Sequence, residues 1–174
     1  MIEPIPWILR EFTFDQPAGV FPTILERLRG TPARAAELVA GVSEQVLSNR
    51  FNGKWSVKEH LGHLATLEQL DRKRLQEFLD RIAVLSAADM TNTATESGNY
   101  RETPVAEILL GMRLGRERLI ERMQQLKSDE VTVAAIHPRL KKPVRLLDWA
   151  YFVAEHDDHH LASARLAIQG QIRL

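Results

Sequence analysis

His156 and His160 stand four residues apart in Ala154-Glu155-His156-Asp157-Asp158-His159-His160-Leu161. On a helix such residues lie one above the other on a single face, and two imidazoles held that way clip a divalent metal. Far upstream, Trp55-Ser56-Val57-Lys58-Glu59-His60-Leu61-Gly62-His63-Leu64 offers two more histidines, three apart and therefore neighbours on a helix surface. One of them would complete a three-nitrogen site with open positions. Three neutral imidazoles leave the ion its full charge, which acidifies what binds there. Coordinated water can fall to a pKa of about 7, and a coordinated thiol is deprotonated outright.

The pattern has a plainer reading as well. Counted at about 100° per residue from Trp149, His156 and His160 straddle the centre of an apolar stripe, His159 falls at its edge and Asp158 points to solvent. Two core histidines bonded to neighbouring side chains or water would also fit, provided their ring nitrogens find partners. Periodicity puts His60 nearer the middle of its stripe and His63 toward one side, so it does not choose between them. His137, in a Pro-rich connection, reads as a loop residue. The Asp157-Asp158 and Arg72-Lys73-Arg74 runs read as solvated surface.

The elements that must position these residues are helical. The segment through Gly19 alternates apolar residues with prolines and reads as an extended arm. A first helical region spans about Val20 to Val42, punctuated by Thr31-Pro32, a cap followed by an N1 proline. The second helix opens on a capping box, Ser56 with Glu59, and continues to about Leu85, with Val57, Leu61, Leu64, Leu75, Phe78, Leu79 and Ile82 on one face. The third starts at Thr103-Pro104 and ends near Lys127. The fourth covers roughly Arg145 to Gln169, burying Trp149, Phe152, Val153 and Ala167. Val131-Thr132-Val133 and the Pro138 to Pro143 stretch suit a short hairpin or an irregular loop.

The link from Ser86 to Glu102 is long for a bundle connection. At roughly 3.3 Å per residue it can travel back along a whole helix. Such a crossover makes helices two and three parallel and helix four antiparallel to helix two. His63 then lies about 11 Å from the start of helix two and His160 about 15 Å from the end of helix four, nearly one height.

Composition narrows the function. The chain has 174 residues, 44% hydrophobic and 26% charged, which suits a single soluble domain. Basic and acidic residues number 23 each, so binding to nucleic acid through phosphate neutralisation is not expected. With no cysteine, there is no protein thiolate, and any metal must be held by nitrogen and oxygen. The N-terminus, Met1-Ile2-Glu3-Pro4-Ile5-Pro6-Trp7, lacks the basic and apolar regions of a signal peptide, and no membrane span is expected, so a cytoplasmic protein is. There is no His-Glu-x-x-His, no pair of Glu-x-x-His motifs, no Gly-rich phosphate loop and no Gly-x-Ser-x-Gly elbow.

Together the two histidine segments resemble the paired motifs of the DinB/YfiT-like family, Trp-Ser-x-x-Glu-x-x-x-His-Leu and, on the last helix, His-x-x-His-His or His-x-x-x-His. The order and spacing match from about Val20 onward. The resemblance implies an all-α, up-down-down-up four-helix bundle with a long crossover between helices two and three. It implies one DinB-like domain over 1–174, an arm at 1–19 and a bundle at 20–170. It further implies a divalent metal on His63, His156 and His160, which selects His63 over His60; zinc, nickel and iron(II) all accept imidazole, so the ligand set does not choose among them. Characterised members are similar to transferases or isomerases that use a low-molecular-weight thiol, and others carry a hydrolase label. A thiol-dependent S-transferase is therefore the first expectation. A hydrolase in which the ion activates water is the second, with Glu59, Glu155 and Asp157 as loose candidates for its base. A non-catalytic metal-binding helical module is the third. The substrate is expected to be a small molecule. Asn92, Asn99 and Tyr100 on the crossover are candidate substrate contacts, and a homodimer is what the family suggests.

Overall fold

The computed structural model describes Ile2 and residues 4–172. In chain order the helices are α1 (Phe21–Arg29), α2 (Thr31–Val39), α3 (Glu44–Ser48), α4 (Val57–Leu79), α5 (Thr93–Glu96), α6 (Val105–Met123) and α7 (Leu146–Ile172). A two-stranded hairpin, β1 (Ala134–His137) and β2 (Lys142–Arg145), precedes α7.

Ser56 opens α4 as its sequence implies. Its hydroxyl accepts from the Glu59 N–H at 3.2 Å, while the Glu59 carboxylate accepts from the Ser56 N–H at 2.7 Å. The helix ends at Leu79, not near Leu85, because Arg81 takes a φ of 55°. The Arg81 N–H then reaches the Phe78 carbonyl and the Ile82 N–H the Glu77 carbonyl, the two bonds of a Schellman stop. Ile82 thereby leaves the buried face and is 45% exposed. The chain beyond it runs beside β1, with Leu85 N–H donating to the Ile136 carbonyl and Ile136 N–H to that of Ala83.

Both Thr-Pro pairs lie at helix starts, but neither threonine caps. Gly30 holds the cap position of α2, and the Thr31 hydroxyl goes to Asp157 on α7 at 2.8 Å. Pro104 holds that of α6, and Thr103 donates to the Asn99 carbonyl. The first helical region is accordingly two helices, and α3, capped by Ser43, is an additional short one. The hairpin strands fall later than Val131-Thr132-Val133. Ile136 pairs with Pro143, a position where Ile136 directs its own amide and carbonyl to the other edge, so the missing proline N–H breaks no ladder bond.

Two apolar clusters show how the helices run. One joins α1 with the C-terminal halves of α4 and α6 (Leu75, Phe78, Leu119, Met123) and the start of α7 (Leu147, Trp149, Val153). The other joins α2 with the N-terminal halves of α4 and α6 (Leu61, Leu64, Ile108, Met112) and the end of α7 (Ala164, Ile168). Thus α4 and α6 are parallel, while α1–α2 and α7 oppose them. This is the up-down-down-up four-helix bundle that the long crossover requires.

The N-terminal arm makes two short 3-10 turns, Trp7–Leu9 and Ala18–Val20, and lies along the hairpin and α7. It is tied through its backbone. Arg139 donates to the Trp7 carbonyl, Lys142 to that of Phe12 and Arg145 to that of Gln16, at 2.7, 2.8 and 2.9 Å. No helix among the described residues is long and apolar enough to cross a membrane.

Candidate metal centre

Between the two apolar clusters, α4 and α7 bring their histidines together. One ligand atom from each of His63, His156 and His160 lies within 4.8 Å of the others. His63 and His160 are buried and His156 is half-buried.

The hydrogen bonds orient the rings. His63 Nδ1 is 2.9 Å from the hydroxyl of Thr95, on α5 of the crossover. His160 Nδ1 is 2.9 Å from His60 Nδ1. With their Nδ1 atoms engaged, His63 and His160 keep Nε2 for the centre, and His160 Nε2 lies 3.1 Å from His156 Nε2. His60 therefore stands behind His160 and Thr95 behind His63, each orienting a ring.

Burial keeps the imidazoles neutral. It holds His63 near 4, and, with the nearby His159 and His63, holds His60 near 4. His156 and His160 lie well below the ordinary histidine value, chiefly from burial and then from neighbouring histidines, His63 first for His156 and His156 first for His160. At neutral pH the centre thus holds neutral imidazoles whose ring nitrogens converge. That donor set fits zinc, nickel or iron(II), which accept imidazole, and not the oxygen-seeking magnesium or calcium.

The three carboxylates near the histidines in sequence are all engaged elsewhere. Glu59 completes the capping box and pairs with Arg50 at 2.5 Å. Glu155 pairs with Arg10 and, at 2.5 Å, with Arg27. Asp157 pairs with Arg116 at 2.5 Å and accepts from Thr31. Asp157 and Arg74, expected on solvated runs, are buried, because each meets groups from other helices or the crossover.

The histidines form one end of a cavity of about 460 Å³ running between α4 and α7. Trp7 of the arm packs on His156 with ring centres 4.8 Å apart, and Trp55 on His63 at 5.1 Å. The Trp55 indole N–H donates to Glu96 at 2.6 Å, so α5 closes that end. His159 also borders the cavity, against Trp7.

Of the crossover residues singled out by sequence, Asn92 lines the cavity, and Asn99 and Tyr100 are not among its lining residues. Tyr100 lies over Gly62, where an added Cβ would come within 2.3 Å of the ring, and its hydroxyl is 2.6 Å from that of Thr66. Asn99, at φ 51°, turns the chain and bonds Thr103 through its carbonyl. His137 is no loop residue but sits buried in β1. No motif or periodicity marks Thr95. Trp7 has a faint sign, the recurrence of aromatics along the arm at Phe12 and Phe14, both in contact with the same aromatic group.

No curated protein matches the sequence. Among solved structures, the chain is similar to YfiT from Bacillus subtilis, described as a probable metal-dependent hydrolase with an unusual four-helix bundle topology. The two share 16% identity at a TM-score of 0.80, with 91% of each chain covered, a likeness of fold. The DinB superfamily's sequence model matches residues 27–164, a span holding α2 to α6, most of α7 and every histidine of the centre, and the chain belongs to that superfamily.

Proposed function

We propose that the protein is a metal-dependent S-transferase that holds a divalent ion on His63, His156 and His160 and uses a low-molecular-weight thiol as cosubstrate. The reading is carried by one observation: three neutral imidazoles converge at the end of a cavity, while the adjacent carboxylates are committed to arginines. When bound, the ion supplies the Lewis acidity that deprotonates a coordinated thiol at neutral pH, a task that needs no carboxylate base.

The chain's own residues do the rest. His60 and Thr95 hold the His160 and His63 rings in the orientation that leaves Nε2 free. Trp7 and Trp55 keep water from the histidines and shape the opening for a small molecule. With no cysteine in the sequence, the reacting sulfur comes from the cosubstrate. Hydrolysis of an ester or amide is the second reading, favoured by the description of YfiT.

Elemental analysis of protein purified without tag or chelator, beside a His63→Ala, His156→Ala, His160→Ala variant, tests this. The expected result is about one divalent ion per chain, absent from a variant that remains folded. Thiol consumption on adding an electrophile then marks the transferase, and ester cleavage without thiol marks the hydrolase. A parent that stays metal-free after reconstitution with zinc, nickel or iron removes both readings and leaves a helical bundle with core histidines.

A further inference from the structure

The cavity has a second polar end. Arg74 lies on the same face of α4 as His63, and both line the cavity. Eleven residues of helical rise separate them by roughly 16 Å along the axis. At the Arg74 end the hairpin contributes His137 and Arg139, and between the two ends the walls are apolar, with Leu67, Leu70 and Phe152.

Two donors at that end are buried and unmatched. His137 is 2% exposed, and its Nδ1 accepts from the Leu140 N–H at 3.3 Å. Burial, then the charges of Arg74 and Arg139, hold the ring near 4, so it is neutral at pH 7 and carries its proton on Nε2. That N–H finds no acceptor among the described residues, and neither does Nη1 of Arg139, whose Nη2 is spent on the Trp7 carbonyl. A buried donor without an acceptor is costly and rare. The group that best satisfies several at once is a carboxylate, which only accepts.

Arg74 and Arg139 bring two cations to the cavity lining, beside the buried Asp71 and the exposed Asp89, whose oxygens accept from Thr91 and Thr93.

We propose that this end of the cavity is a carboxylate subsite, in which His137, Arg139 and Arg74 receive the anionic end of an elongated, otherwise apolar substrate. It rests on the reading of the cavity as a substrate site.

Calorimetric titration with phenylbutyrate and with phenylbutyramide tests it, on protein as purified and after chelation, with metal content measured on the same samples. The carboxylate is expected to bind about tenfold more tightly than the amide in both preparations. His137→Asn keeps an acceptor for Leu140 and removes the Nε2 donor, and Arg139→Met removes the free guanidinium. Each should lower the carboxylate-to-amide affinity ratio by about tenfold, a ratio that a loosened wall alone does not change. His63→Ala should lose the metal and keep the ratio. Equal affinity for acid and amide, an unchanged ratio in both subsite variants, or no binding of either ligand overturns the subsite. Loss of carboxylate binding on chelation does so too, by placing the anion on the metal. A metal-free parent that still prefers the acid would instead sink the metal reading alone.

Discussion

Two buried polar groups lie between the same apolar clusters, both built on α7, and they differ in how they are completed. Asp157 closes a set with Arg116, Glu68 and Thr31. Arg116 donates to Glu68 at 2.8 Å, to Asp157 at 2.5 Å and to the Leu28 carbonyl at 3.1 Å. Opposite charges meet there, and the set is nearly satisfied from within the chain, Glu68 Oε2 excepted. One residue away, His156 and His160 join His60 and His63 in a group whose members are all of one kind. Each neutral imidazole brings one donor and one acceptor, and nitrogens meet nitrogens. A polar set completed by its own members locks helices together. One built of neutral imidazoles keeps ring nitrogens that an ion from outside can take up.

The largest effect should come from breaking the closed set. Arg116→Leu strands Asp157 and Glu68 in the interior, and removing one partner of a buried ion pair costs about 3–5 kcal/mol. Urea denaturation should show that loss. A variant within 1 kcal/mol of the parent would mean the set does not lock the bundle.

A smaller effect separates the two groups by pH. Unfolded histidine titrates near 6.5, whereas His60 and His63 titrate near 4 in the fold. Between those values the unfolded chain binds more protons. Stability of the chelated protein therefore falls as pH drops through that window, by about 1.4 kcal/mol per pH unit for each such histidine. Glu68 and Asp71, pushed by burial up to about 7 and about 6, titrate above their unfolded values and oppose the trend, favouring the fold at low pH. The histidines outnumber them, so the midpoint should fall between pH 7 and pH 5, and Glu68→Gln should steepen the fall. A midpoint that rises on acidification would show the carboxyls to be dominant.

The smallest effect on stability belongs to Thr95→Val, which keeps shape and removes the partner of His63 Nδ1. Loss of such a partner weakens metal binding by about 10–100-fold, while the fold should lose under about 1.5 kcal/mol. Competition against a chromophoric chelator reads the first and thermal melting the second. Unchanged affinity would make Thr95 a packing residue only.

The bundle was legible because its signals are local or periodic: the Ser56 capping box, the apolar stripes of α4 and α7, and a crossover too long to be a turn. The ends were less so. A left-handed Arg81 stops α4 where the hydrophobic pattern continues, and nothing about an arginine announces that conformation. Thr31 and Thr103 looked like caps because a hydroxyl before proline fits one, yet tertiary partners claimed Thr31 for Asp157. At the centre, spacing proposed the His156–His160 pair but could not choose between His60 and His63. That choice depends on how α4 rotates against α7. The roles of Thr95, Trp7 and His137 depend on where the crossover, arm and hairpin dock, and no short-range pattern records docking.

The arm's attachment bears on how such a protein diversifies. Arg139, Lys142 and Arg145 grip it by main-chain carbonyls, a handle that every amino acid offers alike. The identity of the exposed Ile8, on the cavity wall, is thus free to drift without releasing the segment from the bundle. Selection can redraw one wall of the cavity by point changes in a stretch with no helical register to preserve, while the histidines opposite stay fixed on two helices that tolerate far less.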